Sequence, residues 1–103
     1  MKYHNIKTEY KGVKYDSRRE SEYAMELDWR VKANDIKSWK GQGKIPMIVN
    51  GKKICTYIID FVITHNDGSL EYVEVKGFKT AVWRLKYKLF ESLYPELKKL
   101  IVT

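Results

Sequence analysis

The chain has 103 residues but only one cysteine, two prolines and two histidines. The lone Cys55 excludes an internal disulfide. Its place in an apolar run suggests a buried free thiol in a reducing compartment, here the cytoplasm. No apolar run approaches the roughly 20 residues that a membrane-spanning helix needs. Met1 leads straight into polar sequence, so no signal peptide is expected. His4 and His65 are isolated and suggest no site. Repeats, low-complexity tracts and linkers are missing too, so residues 1–103 read as one domain with one modest core.

Basic residues are plentiful. Twenty Lys and Arg against thirteen Asp and Glu give a net charge of +7. That balance favours a polyanionic partner, nucleic acid first and an acidic membrane surface second. Aromatic residues make up 14% of the chain and must supply much of the buried area. Met25 and Met47 read as packing residues.

Turn and cap signals divide the chain. Lys11-Gly12 reads as the turn of a small hairpin in "KTEYKGVKYD". Ser17 is a good N-cap for a helix that closes at Asn34-Asp35. Strand material follows, with turn signals at Gly41 to Gly43, Asn50-Gly51 and Asn66-Asp67-Gly68. "TAVWRLKYKLFESLY" reads as a second amphipathic helix stopped by Pro95, with Val82, Leu85, Leu89 and Leu93 as its apolar stripe. "LKKLIVT" closes as a short strand. The order is helix, three antiparallel strands, helix, strand. It predicts an α+β domain whose helices cover a mixed sheet.

Charges stand out within these apolar patterns. In "EYVEVKG", alternation puts Val73 and Val75 on one face of a strand, and Tyr72, Glu74 and Lys76 on the other. A three-residue loop at Asn66-Asp67-Gly68 pairs His65 with Ser69, and counting back places Asp60 opposite Glu74. Two like charges there suit a cation between them or one protonated carboxyl. A two-residue loop would send them to opposite faces. Glu20 shares a helical stripe with Ala24, Leu27 and Val31, while Glu22 and Glu26 fall on the far side. Glu20 also completes a Ser17-x-x-Glu20 capping box, and the two roles can coexist. Lys86 lies at the edge of the second helix's apolar stripe, where its stem can cover the core.

Asp60 in "YIIDF", followed by Glu74-Val75-Lys76 and preceded by a helix bearing Glu20, resembles the PD-(D/E)XK nuclease superfamily. Ile59-Asp60 stands where that pattern nominally has Pro-Asp. More closely, "YDSRRESEYAMEL", "YIIDF", "VEVKGFKT" and "RLKYKLFESLYP" resemble a family of small phage-encoded proteins described as domains of unknown function, or as endonuclease- or Holliday-junction-resolvase-like. The resemblance runs from about Tyr10 to Pro95. It implies a restriction-endonuclease-like core and a Mg²⁺-dependent endodeoxyribonuclease acting on branched DNA in a bacterial cytoplasm. Mn²⁺ is expected to substitute for Mg²⁺. The implied ligands are Asp60, Glu74 and the Val75 backbone carbonyl, with Glu20 on the ion's water shell or on a second ion. Lys76 would hold the attacking water or stabilise transition-state charge. Cutting a junction symmetrically implies a homodimer.

Arg18, Arg19, Lys44, Lys52, Lys53, Lys79, Arg84 and Lys86 are candidate phosphate contacts, which position a protein without reading sequence. Trp39 and Trp83 could stack on bases, although core packing also explains them. The alternatives are a non-catalytic nucleic-acid-binding module on the same fold, a protein-interaction domain, or a salt-bridge cluster at Asp60, Glu74 and Lys76. The apolar setting of Asp60 in "TYIIDFVI" argues against the last.

Overall fold

A computed structural model of the chain describes residues 8–75 and 80–102. Its elements are β1 (Thr8–Tyr10), β2 (Val13–Tyr15), α1 (Arg18–Lys32), β3 (Ser38–Val49), β4 (Lys52–Thr64), β5 (Leu70–Val75), α2 (Ala81–Leu93) and β6 (Lys98–Val102). β1 and β2 form a small hairpin. The other strands form one sheet in the order β3-β4-β5-β6, antiparallel except for the parallel β5–β6 pair. The domain is therefore α+β with a mixed sheet, as the turn and helix signals predict.

Local chemistry explains the boundaries. Lys11-Gly12 and Asn50-Gly51 turn with both residues at positive φ, which matches the twist of the strands they join. Ser17 caps α1 by accepting the Glu20 amide at 3.1 Å. At the other end Asn34 adopts φ 60, with Asn34 N–H on the Val31 carbonyl and Asp35 N–H on the Arg30 carbonyl. This is a Schellman closure with Asn in the left-handed position. Thr80 caps α2 by accepting the Trp83 amide at 3.0 Å.

The helices lie against opposite faces of the sheet. Ala24 and Leu27 of α1 pack with Phe61, Ile63, Val73 and Val75. Phe90 of α2 packs with Met47, Tyr57 and Ile59, joined by Tyr72, Trp83 and Tyr87. In β5 the split follows simple alternation: Val73 faces α1 and Tyr72 faces α2. In β4 it does not. Ile59 packs on the α2 side and Phe61 on the α1 side, although both are odd-numbered. The face therefore inverts between them, at Asp60. On the facing strand, Gly43 pairs with Ile59 and Gly41 with Phe61, while Gln42 and Asp60 make no ladder pair. Gln42 has φ 53.

Several expectations need correction. Gly41 to Gly43 is not a turn between strands but a kink inside one 12-residue strand. Gly43 is needed there because a Cβ would lie 2.5 Å from Val62 Cγ2. The stripe of α2 that enters the core is Trp83, Tyr87, Phe90 and Tyr94, at helical spacing. Leu89 and Leu93 also touch this core, but Val82 and Leu85 are 64% and 69% exposed. Aliphatic count misplaced the stripe because aromatics carry more buried area. Met25 is 36% exposed and Cys55 is half-buried.

The β1–β2 hairpin is pinned to α1 by Asp28. Its carboxylate accepts the Tyr10 hydroxyl at 2.6 Å and the Trp39 indole N–H at 2.9 Å, and lies 3.1 Å from Lys11 Nζ. The Tyr10 hydroxyl most of all, then the indole and Lys11, hold this carboxyl below its usual range, against a burial effect of opposite sign.

Two outcomes are expected. Gly43→Ala destabilises the protein by about 1–3 kcal/mol through the Val62 clash. Adding Val62→Ala costs less than the two single changes summed, because the clashing methyl is gone; denaturant unfolding measures both. A carboxyl with a depressed folded pKa stabilises fully above its unfolded value of 3.8 and loses that contribution as pH falls through the folded value. Wild-type unfolding midpoints should therefore drop more steeply than those of Asp28→Asn between about pH 5 and pH 2.

Candidate active site

The site begins with a loop. Gly68 has φ 90. The His65 amide donates to Ser69 O at 2.8 Å, and the Gly68 amide to His65 O at 2.9 Å. This three-residue loop fixes the β4–β5 register, with Thr64 opposite Leu70 and Phe61 opposite Val73. One step further, Asp60 stands opposite Glu74, as the loop length predicts.

The ladder stops there. Among the described residues beyond Phe61 and Val73, β4 pairs only with β3, and β5 only with β6. Side chains occupy the split. The Asp60 amide donates to Glu74 Oε1 at 3.2 Å, and the Val75 amide donates to Asp60 Oδ2 at 2.8 Å. Each carboxylate thus reaches across to the other strand's backbone. Glu74 is 3% exposed. Its second oxygen, Oε2, accepts the Trp83 indole N–H at 3.0 Å from α2.

Asp60 also opens onto a groove of about 880 Å³ between the β1–β2 hairpin and the β3 kink. Glu20 and Asp16 share its lining with Asp60, Gln42 and Ile58, and Lys14 and Lys40 stand beside them. The sequence-predicted residues Glu20 and Asp60 therefore meet in one groove. Glu74 joins Asp60 at the strand split, buried on the α2 side instead of sharing an open face with it. The inversion at Asp60 is the reason. Lys76 and Lys79 lie outside the described residues.

A family model described as "Protein of unknown function (DUF1064)" matches residues 1–103. The chain belongs to the DUF1064 family. Neither a curated protein nor a solved structure matches it.

The candidate phosphate contacts of this DUF1064 protein are spread over its surface. Lys52 and Lys53 are exposed beside the β3–β4 turn. Lys44 lines a second, smaller groove with Lys40, Thr64 and Tyr72. Arg18 pairs with Glu22 at 3.3 Å, an exposed i,i+4 contact of about 0.3–0.5 kcal/mol that a phosphate readily displaces. Arg19 and Arg84 are exposed, and Lys86 is half-buried.

The donor set suits a hard cation that keeps most of its water, because Mg²⁺ takes only one or two protein carboxylates. Among the described residues, no three His, Cys, Asp or Glu side chains form a ready cage. Asp60 and Glu74 are the pair that fits, with Glu20 further along the groove.

Two contributors escaped the sequence reading. Trp83 touches a candidate ligand directly, and its stacking on Tyr87, with centroids 5.2 Å apart, holds the ring. Tyr57 is 2% exposed, and no group among the described residues forms a geometrically sound hydrogen bond with its hydroxyl. Burial first and the nearby Glu74 second raise its pKa well above the ordinary value, slightly offset by the Trp83 indole, whose N–H is aimed at Glu74. Spacing alone showed Trp83 as an aromatic at the helix start and could not show the register of its N–H.

Trp83→Phe strips a donor from a buried carboxylate and should cost about 1–3 kcal/mol in urea unfolding. A double-mutant cycle with Glu74→Ala should show a coupling of at least about 0.5 kcal/mol. Additive effects would mean that the indole merely packs.

Proposed function

We propose that this DUF1064 protein is a metal-dependent endonuclease that hydrolyses DNA phosphodiester bonds, with branched DNA as the preferred target. One observation carries the reading. The sheet parts where two acidic side chains from neighbouring strands meet, and one of them, Asp60, lines a groove that also holds Glu20. Acidic groups placed in apolar strands of a +7 protein call for a cation, and a polyanion is the partner that such a charge attracts. The succession of α1, three antiparallel strands, α2 and a strand parallel to β5 also fits the restriction-endonuclease-like core that the sequence resemblance implies.

On this reading Asp60 and Glu74 hold the ion, and Glu20 orders water at the groove end of the site. A bound Mg²⁺ would supply positive charge against the phosphate and acidify a water molecule. The strand amides of Asp60 and Val75 orient the two carboxylates, and Trp83 N–H fixes Glu74 from the other side. Lys76, two residues beyond Glu74, would hold the attacking water and offset charge building on the phosphate. Lys14 and Lys40 flank the groove where a strand would enter. Two such sites are needed to cut a junction symmetrically, hence a homodimer on that substrate.

A second reading, a nucleic-acid-binding module without catalysis, draws on Glu74, whose two oxygens already accept protein N–H groups. Purified protein should be offered a labelled four-way junction, a flap and a plain duplex, each with Mg²⁺ or EDTA. The expected result is metal-dependent cutting, fastest on branched DNA, that Asp60→Asn abolishes while binding persists. Binding without cutting of any substrate would favour the module. Equal cutting by Asp60→Asn would trace the activity to a contaminant.

A further inference from the structure

In the Gly41-Gln42-Gly43 stretch, the residue held in the left-handed backbone region is the one with a side chain. Gln42 has φ 53, and neither glycine beside it has positive φ. Among the described residues the other non-glycine positions at positive φ are Lys11, Asn34 and Asn50, which sit in hairpin turns or a helix cap. Gln42 alone of these lies inside a strand. Left-handed backbone is unfavourable for a residue with a Cβ, and glycine would relieve it.

Of the glycines beside it, Gly43 has a separate reason for lacking a side chain. A Cβ on Gly43 would strike Val62, and one on Gly41 would touch the Asp60 carbonyl at 3.7 Å. Tight packing against β4 therefore explains Gly43, while a Cβ at Gly41 would make only an ordinary contact, and neither observation accounts for Gln42. The kink itself would form more easily with glycine at position 42. What glycine could not provide is the carboxamide, and Gln42 lines the same groove as Glu20 and Asp60.

We propose that Gln42 contacts the substrate, donating its carboxamide N–H to a phosphate oxygen of the strand in the Asp60–Glu20 groove. The proposal rests on the endonuclease reading and names one more residue of that site. An uncharged donor suits the position. Lys14 and Lys40 already line the groove, and an amide adds a phosphate donor without adding a further positive charge next to a divalent cation. Strained residues that persist beside a site commonly serve it.

The test compares wild type, Gln42→Gly and Gln42→Asn in three measurements. These are the thermal unfolding midpoint, anisotropy of a labelled four-way junction with Ca²⁺, and cutting of that junction with Mg²⁺. Gln42→Gly should raise the midpoint by about 2–4 °C, net of the extra freedom that glycine gives the unfolded chain. It should also weaken binding and slow cutting by about ten-fold, one lost hydrogen bond to a charged group. Gln42→Asn keeps the amide and tolerates the left-handed region, so it should recover part of both losses. A glycine variant that binds and cuts like wild type would overturn the proposal, as would one with a lowered midpoint. If wild type binds but does not cut, the endonuclease reading fails and the binding arm still judges Gln42. If wild type neither binds nor cuts, both fall.

Discussion

Two crossed hydrogen bonds hold together the part of the sheet where ladder pairing ends. From Asp60 N–H to the Glu74 carboxylate, and from Val75 N–H to the Asp60 carboxylate, the strands stay linked after their backbones stop exchanging bonds directly. Buried amides demand acceptors, and a carboxylate is a strong one. The acidic side chains thus serve the fold, but at a position where simpler strand pairing would have satisfied the same amides with carbonyls. Two acidic groups therefore stand at a gap in the sheet, where they are available for chemistry that a carbonyl could not supply.

The inversion at Asp60 governs the rest of the architecture. Because β3 and β4 exchange faces at Gln42 and Asp60, one long hairpin serves two cores. Its half nearest α1 contributes Phe61 and Ile63 to one, and its far half contributes Met47, Tyr57 and Ile59 to the other. Without the inversion, the residues that fill the α2 core would point to the α1 face of the sheet, away from α2. The face left uncovered carries Ile58, which is 53% exposed and forms part of the groove wall. Groove, kink and split strands are consequences of one backbone event.

Much of this was legible in the sequence because it depended on local rules. The loop at Asn66-Asp67-Gly68 set the register, and the register set Asp60 against Glu74. Ser17 and Asn34 marked α1, and Ala24 and Leu27 marked its buried stripe. What local rules could not supply was the inversion. Gly41-Gln42-Gly43 looks like a turn by composition, and only its pairing with Phe61 and Ile59 of β4, distant in sequence, shows it to lie inside a strand. The face of α2 was misread for a related reason. Val82 and Leu85 satisfy helical periodicity as well as Trp83 and Tyr87 do, and the choice between stripes is made by Tyr57 and Glu74, far away in sequence.

The distribution of charge argues for treating the groove and the basic surface as one device. A net charge of +7 draws in a polyanion from a distance, but salt confines each charge's reach to about 10 Å. Inside that range an incoming phosphate at the groove meets Asp16, Glu20 and Asp60, which repel it, as well as Lys14 and Lys40, which attract it. A surface evolved only to grip phosphate would gain by replacing those acids with neutral or basic residues. The two patterns become compatible if a divalent cation stands between acid and phosphate, since it reverses the sign of the local field while the distant field is unchanged. Buried Glu74, tied to Trp83 and to the Asp60 amide, suits the part of such a site that must stay fixed. Asp60, facing the groove, suits the part that must meet water and substrate.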